Sequence, residues 1–366
     1  MAEQRRIGLL TPFFQPIPAY GGPASRLGVE LAIVTPRRIN WSTEEVEALV
    51  WDGASWQLAT VPLPRAFYNR FYGPKPQVVN RLELLVGKNK VFNHVTRFDK
   101  LTIHQALSRS PLLPHLPRSQ GYSPEGLRGL LKDLGQVILK PRTGHMGLAI
   151  YLIRKRGKRV LVHHGTQSPI ATFGGVDELL TWLEEAADSG WLIQQFIPAA
   201  AIDGRIFDVR ILVQKDAAGT WQPSGALSRV ALRYSYITNV SQAILPAARA
   251  LEQAFPETSF LPQLEELSLK AAQLAEGALG SLGEVSVDFC LDTAGKIWII
   301  ELNGKPMKSM FGALGDSELV KRVYERPLSY ALHLCSTHQQ GGFGLCPRAQ
   351  TGTNQQFLSR ILALSL

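Results

Sequence analysis

The sequence predicts a mixed α/β fold of the α+β kind, and three observations carry that prediction. Residues 283–303 hold two β-rich apolar runs around Asp292-Thr293-Ala294-Gly295, the pattern of an antiparallel hairpin. Residues 137–153 hold another strand pair around a glycine-bearing turn, Arg142-Thr143-Gly144-His145-Met146-Gly147. Around these runs stand segments with helix-start signals, so strands and helices alternate along the chain.

The elements follow in order. Residues 5 to about 90 alternate short apolar runs (7–10, 29–34) with proline- and glycine-rich breaks, contain Trp41, Trp51 and Trp56, and read as a small α/β unit. A helix is expected over 99–107; Pro111, Pro114 and Pro117 then make a rigid link. Ser123-Pro124-Glu125 opens the next helix, serine at the N-cap and proline first. Strands are expected at 137–140 and 148–153, an exposed basic turn over 154–159, a strand at 160–164, and helices over 176–187 and about 264–279. From 336 the chain reads as glycine-bearing loop, with a last helix over about 355–364 whose Phe357, Leu358, Ile361 and Leu362 form a stripe that packs on the chain itself or docks a partner. No internal repeat is evident.

Composition bounds the function. A chain of 366 residues, 45% hydrophobic, suffices for two or three domains with a true core. Its formal net charge of +9 suits anionic ligands such as nucleotide phosphates or an acidic substrate, and equally serves solubility. The basic residues are scattered and no nucleic-acid reader motif accompanies them, so no nucleic-acid partner is expected. Cys290, Cys335 and Cys346 form neither a disulfide framework nor a zinc spacing. The first ten residues lead into Thr11-Pro12 rather than an apolar leader, and no apolar stretch reaches spanning length, so a cytoplasmic chain without a membrane span is expected.

Two segments carry chemistry. If the 283–303 hairpin pairs symmetrically about its turn, Asp288 lies opposite Ile299, and alternation puts Asp288, Ile299, Glu301 and Asn303 on one face. Two carboxylates and an amide carbonyl, with no thiol or imidazole beside them, suit Mg²⁺, which leans on substrate phosphates. The alternative is an ordinary solvent face, and a one-residue shift in register would break the set. In the other segment, Val137-Ile138-Leu139-Lys140-Pro141 delivers a lysine into a glycine-bearing turn whose backbone N–H groups suit phosphate, although a plain hairpin turn would read the same way. Neither G-x-x-x-x-G-K-[ST] nor a strand–turn–helix with G-x-G-x-x-G is present.

In this order the segments resemble the ATP-grasp superfamily over residues 91–335. The resemblance runs through Lys100, Lys140 and its glycine loop, Trp191-Leu192-Ile193-Gln194-Gln195-Phe196-Ile197-Pro198, Phe207-Asp208-Val209-Arg210, and Asp288, Glu301 and Asn303. It is nearest to the YheC/YheD family of endospore coat-associated proteins, through the segments 62–70 and 208–214 and Ile297-Trp298-Ile299-Ile300-Glu301-Leu302-Asn303-Gly304-Lys305-Pro306.

The resemblance implies an ATP-grasp fold, two lobes clasping ATP behind an N-terminal α/β domain. Its boundaries would be 1–90 for that domain, 91–335 for the ATP-grasp unit (mobile lobe about 136–197, catalytic lobe about 198–335) and 336–366 for a tail with a short helix. It implies a Mg·ATP-dependent, ADP-forming ligase that joins a carboxylate to an amine through an acyl phosphate, with cofactors ATP and Mg²⁺ and an amino acid or peptide among the substrates. Lys100 and Lys140 would hold phosphates under a lid of Gly144, His145 and Gly147. Gln194, Gln195, Phe196 and Ile197 would receive adenine. Asp288, Glu301 and Asn303 would hold the metal, and Arg210, Arg229 and Lys305 would serve catalysis.

Each role has a plainer rival. Arg210 would pair with Asp208, Lys100 would only support a helix start, and Lys305 would be a solvated turn lysine. Tyr68-Asn69-Arg70 reads as substrate-binding or as domain packing. The family's acidic ribose residue after the hinge is replaced by Pro198-Ala199-Ala200-Ala201, leaving Asp203 as the nearest acid, and the segment 238–244 lacks a Gly-Gly pair. A kinase that stops at phosphoryl transfer and a spore coat-associated structural protein with little turnover stand as alternatives, and spore association enters through the resemblance alone.

Overall fold

The computed structural model describes residues 5–144, 149–184 and 187–336. Cys346 and the helix expected over 355–364 lie outside them. Three sheets share one cleft.

The first sheet is built on parallel strands. β1 (Arg6–Leu10) pairs in parallel with β2 (Glu30–Val34) and, further along the chain, with β6 (Ala66–Asn69), which is itself parallel to β7 (Val91–Phe92). β3 (Ile39–Asn40), β4 (Glu45–Trp51) and β5 (Trp56–Pro62) extend the other edge as an antiparallel meander. The all-apolar run 7–10 is explained by its central position, buried on both faces. Helix α1 (Gly21–Leu27) makes the crossover from β1 to β2, and α2 (Gln77–Val86) that from β6 to β7.

The second sheet is antiparallel. β8 (Ser119–Gly121), β9 (Gln136–Pro141), β10 (Tyr151–Arg156), β11 (Arg159–His164), β12 (Pro169–Phe173) and β13 (Trp191–Gln195) lie in the order β12-β11-β10-β9-β13-β8. Helix α3 (Lys100–Ser108) precedes it, with Asp99 accepting the Thr102 N–H at 2.9 Å. Two more helices cover one face, α4 (Pro124–Leu134) and α5 (Val176–Leu183); Ser123 caps the former by accepting the Gly126 N–H at 3.0 Å. Their leucines close over Val137, Leu139, Ile153 and Val160.

The third sheet holds the longest strands. β14 (Ala201–Ile202) is a short hairpin partner of β15 (Arg205–Lys215), which pairs with β16 (Trp221–Ala231) and β18 (Glu284–Leu291); β17 (Ser241–Pro246) and β19 (Ile297–Asn303) form the edges. Alternation along β15 and β18 sends Val209, Ile211, Val285, Val287 and Phe289 against α6 (Ala247–Ala254) and α7 (Leu261–Leu279). The polar positions between them face the cleft side.

The last described helix, α8 (Ser317–Ser336), belongs to two cores. Leu319 and Val323 pack on the third sheet through Phe311, whereas Leu328, Tyr330, Ala331 and Leu334 close the first sheet's core with Ile7, Leu9 and Tyr20. Pro327 sits inside it and removes the N–H that would bond Val323. Gln214 fills the gap by donating Nε2–H to the Val323 carbonyl at 2.9 Å. No helix among the described residues is long and apolar enough to cross a membrane.

Candidate functional site

A bulge in β19 decides which side chains meet. Phe289 lies opposite Ile299 but Asp288 lies opposite Glu301, so Ile300 is an extra residue. The symmetric register expected from the turn, with Asp288 opposite Ile299, is therefore replaced. Before the bulge Ile297 and Ile299 face the helix-covered core, while Trp298 and Ile300 face the other way. Unbroken alternation would then drive Glu301 into the core. The bulge instead sends Leu302 there and sets Glu301 and Asn303 beside Asp288, without Ile299. Gly304 follows because a Cβ there would lie 2.4 Å from the Phe98 ring.

Cations surround these oxygens. Arg210 donates to both Asp288 oxygens at 2.7 Å, and Arg229 to one of them at 3.0 Å. Arg229 also pairs with Asp208, which accepts the Thr238 hydroxyl. Arg210 thus pairs with Asp288 rather than Asp208. Burial alone would raise the Asp288 pKa, but Arg210 and Arg229 hold it below the usual carboxylate value. Asn303 Nδ2 stands 3.5 Å from Asp288.

Two lysines complete the group from other elements. Lys100 Nζ lies 3.3 Å from Glu301. Its helix is pinned to the end of β9, since Arg142 pairs with Asp99 at 2.9 Å and its carbonyl accepts the Lys100 N–H, also at 2.9 Å. Lys140 is 4% exposed and donates to Gln194 Oε1 at 2.9 Å. Burial depresses its pKa to about 8; attraction to Glu301 opposes this and repulsion from Lys100 adds to it.

These groups wall a cleft of 740 Å³ that also takes in Gly144 and the half-buried Lys305. Among the described residues, eight basic ones line it against two acids, Asp288 and Glu301. A slot of 120 Å³ opens beside it between the second and third sheets. Gln194, Gln195, Phe196 and Ile197 form one wall, Phe207 and Cys290 another. Burial pushes the Cys290 thiol pKa up, as expected of a packed cysteine. A wider groove of 850 Å³ at the first sheet's edge has no such convergence: Arg38 pairs with Glu47 and stacks 3.8 Å over Phe14, and Arg81 stacks 4.0 Å over Trp41.

Asp203 is not brought in. It occupies, with Gly204, the exposed two-residue turn between β14 and β15, at φ 51° and 72° respectively, and lines neither opening. A short Asp-Gly hairpin explains it better than a ligand. His145 and Gly147 lie outside the described residues.

Other residues here escaped the sequence reading. Tyr236 donates to the carbonyl of Ile150 at 2.7 Å, joining the third sheet to the second, next to Thr238 and Asn239, which line the slot and belong to the segment already noted for lacking a Gly-Gly pair. Glu284, wholly buried, and Lys308 meet Arg70 at the cleft's far end. Only a strand alternation ending in a charge marked Glu284, and its partners come from distant segments.

Asp288, Glu301 and Asn303 supply hard oxygen donors that fit Mg²⁺. Among the described residues no cluster of three or more His, Cys, Asp or Glu forms, so a bound ion would draw its remaining ligands from phosphate or water.

Residues 88–334 match the family model described as YheC/D like ATP-grasp. The chain is 25% identical over 313 residues to the endospore coat-associated protein YheD of Bacillus subtilis (strain 168), covering 81% of this chain and 69% of that one. It is 24% identical over 337 residues to YheC of the same organism, covering 87% and 92%. Among solved structures, the ATP-grasp ligase PsnB complexed with minimal precursor, Mg and ADP aligns with a TM-score of 0.53 at 17% identity, over 91% of this chain and 98% of that one. The fold is therefore that of ATP-grasp proteins.

Proposed function

The chain belongs to the YheC/D-like ATP-grasp family, and on that premise we propose that it is a Mg·ATP-dependent ligase joining a carboxylate to an amine. One observation carries the reading: a buried lysine on one sheet faces an acid pair flanked by arginines on another, beside a slot of 120 Å³ lined by Phe196, Ile197 and Phe207. Lys140 and Lys100 would neutralise ATP phosphates, with Gly144 lining the same cleft. Gln194 to Ile197 would take adenine. Asp288, Glu301 and Asn303 would hold Mg²⁺, which when bound offsets phosphate charge.

The residues then act by position and charge. A substrate carboxylate oxygen attacks the γ-phosphorus while the bond to the ADP oxygen breaks. Arg210 and Arg229 stabilise the charge spread over the transferring group, and closure over the cleft keeps water from the acyl phosphate. The amine nitrogen next attacks the acyl carbon, the bond to phosphate oxygen breaks, and the nitrogen loses a proton.

The proposed organisation keeps an N-terminal domain over 1–90 and an ATP-grasp unit over 91–335, lobes meeting near 197. The names of the two Bacillus subtilis relatives support placing its product in the endospore coat. The test is ADP release from MgATP with pooled carboxylates and amines, with hydroxylamine added to trap an acyl phosphate as a hydroxamate. A hydroxamate, and loss of ADP release in Arg210→Met, are expected. Phosphate retained on an organic product would make it a kinase, and no turnover by protein that binds MgATP would favour a binding role in the coat.

A further inference from the structure

Alternation along β18 places a second charge centre on the same face as Asp288. Glu284 precedes Asp288 by four residues, roughly 13 Å along the strand. Its side chain is fully buried, and both oxygens are occupied. Oε1 accepts the Tyr68 hydroxyl and lies 3.4 Å from Arg70; Oε2 lies 2.6 Å from Lys308 and accepts Gln214 at 3.0 Å. Burial would raise its pKa, yet Lys308 and Arg70 hold it low.

The centre is more positive than its packing requires. Lys308 is saturated, donating also to Tyr20 at 3.0 Å and to Tyr68 at 2.9 Å. Arg70 uses only Nη1, toward Tyr68 at 2.7 Å and toward Glu284; its Nε and Nη2 have no hydrogen-bond partner among the described residues. Lys305 lines the same end and has no ion pair among them. Three cations around one carboxylate leave two positive charges facing the cleft.

We propose that Arg70 and Lys305 form a second anion site, distinct from the phosphate end, that holds a non-reacting carboxylate of the substrate. Glu284 and Lys308 position Arg70 and do not touch the ligand. The substrate is then an acid with two carboxylates or more, one reacting beside Asp288 and one anchored at Arg70. This rests on the ligase reading for the reacting end, while the anion site stands on its own geometry.

The test uses the full chain and calorimetric binding of succinate, adipate and suberate against hexanoate, with and without a non-hydrolysable ATP analogue and Mg²⁺. At least one dicarboxylate is expected to bind tenfold more tightly than hexanoate. Arg70→Gln and Lys305→Met should erase that advantage, Arg70→Lys should restore part of it, and the analogue should bind Arg70→Gln within twofold of wild type. An advantage that survives both variants, or no dicarboxylate binding by wild type, overturns the proposal. So does tenfold weaker analogue binding to Arg70→Gln, which would assign this cation to phosphate. Failure of wild type to bind the analogue would instead sink the ligase reading and leave the dicarboxylate result to be judged alone.

Discussion

At the scale of single residues, Lys140 shows how the site opposes the fold. Burial without a full counter-charge brings its pKa from an ordinary 10.5 to about 8. The unfolded chain thus binds more protons than the folded one between those values, so stability rises with pH there and the penalty is complete below about pH 8. Lys140→Met should stabilise the protein at pH 7 by on the order of 1–3 kcal/mol, less at pH 10, while losing nucleotide affinity. Urea unfolding at both pH values checks this; a variant less stable at pH 7 would contradict it. Free protein is half-neutral at this lysine near pH 8, so nucleotide binding there should take up a proton, visible as a dependence of binding heat on buffer ionisation enthalpy.

At the scale of elements, Pro327 and Gln214 form one device. The proline opens a gap in α8, and the amide closes it while also holding Glu284. Gln214→Leu should cost about 2–3 kcal/mol, because it orphans a buried carbonyl and takes one of two partners from an oxygen of a buried carboxylate. In a Pro327→Ala background the loss should be smaller by about 1 kcal/mol, since Val323 regains a helical partner. Denaturant midpoints of the four proteins decide it, and strict additivity would contradict the coupling.

The same scale shows what was legible. Ser123 announced its helix because capping is local chemistry, and the hairpin around Asp292 announced itself through turn residues. Lys140 was marked by the strand it ends. The bulge at Ile300 was not legible, because nothing in Ile299-Ile300 distinguishes an extra residue from a paired one. Nor was α8, whose proline reads as a stop unless Gln214 is known to stand behind it. The Glu284 centre was hidden because its partners lie at positions 68, 70, 214 and 308. Charge pairing across such separations leaves no periodic trace.

At the scale of the whole molecule, α8 makes one frame of the first and third sheets by serving both cores. Asn93 adds to this, its backbone carbonyl accepting from Asn69 and its side chain accepting the Gly283 N–H, both at 2.8 Å. Arg70 is thereby fixed relative to Glu284. The second sheet joins this frame through hydrogen bonds that include Lys100–Arg142 and Tyr236–Ile150. That arrangement suits a lobe that moves over a nucleotide held between it and the frame.

The central claim is that Lys140 on the second sheet and Glu301 on the third act on one nucleotide. Calorimetric titration with a non-hydrolysable ATP analogue and Mg²⁺ tests it most directly, with Lys140→Ala and Glu301→Ala alongside. Binding by wild type, weakened at least tenfold in each variant, about 1.4 kcal/mol, is the predicted result. A folded wild type that does not bind, or variants that bind as well as it does, would contradict the account.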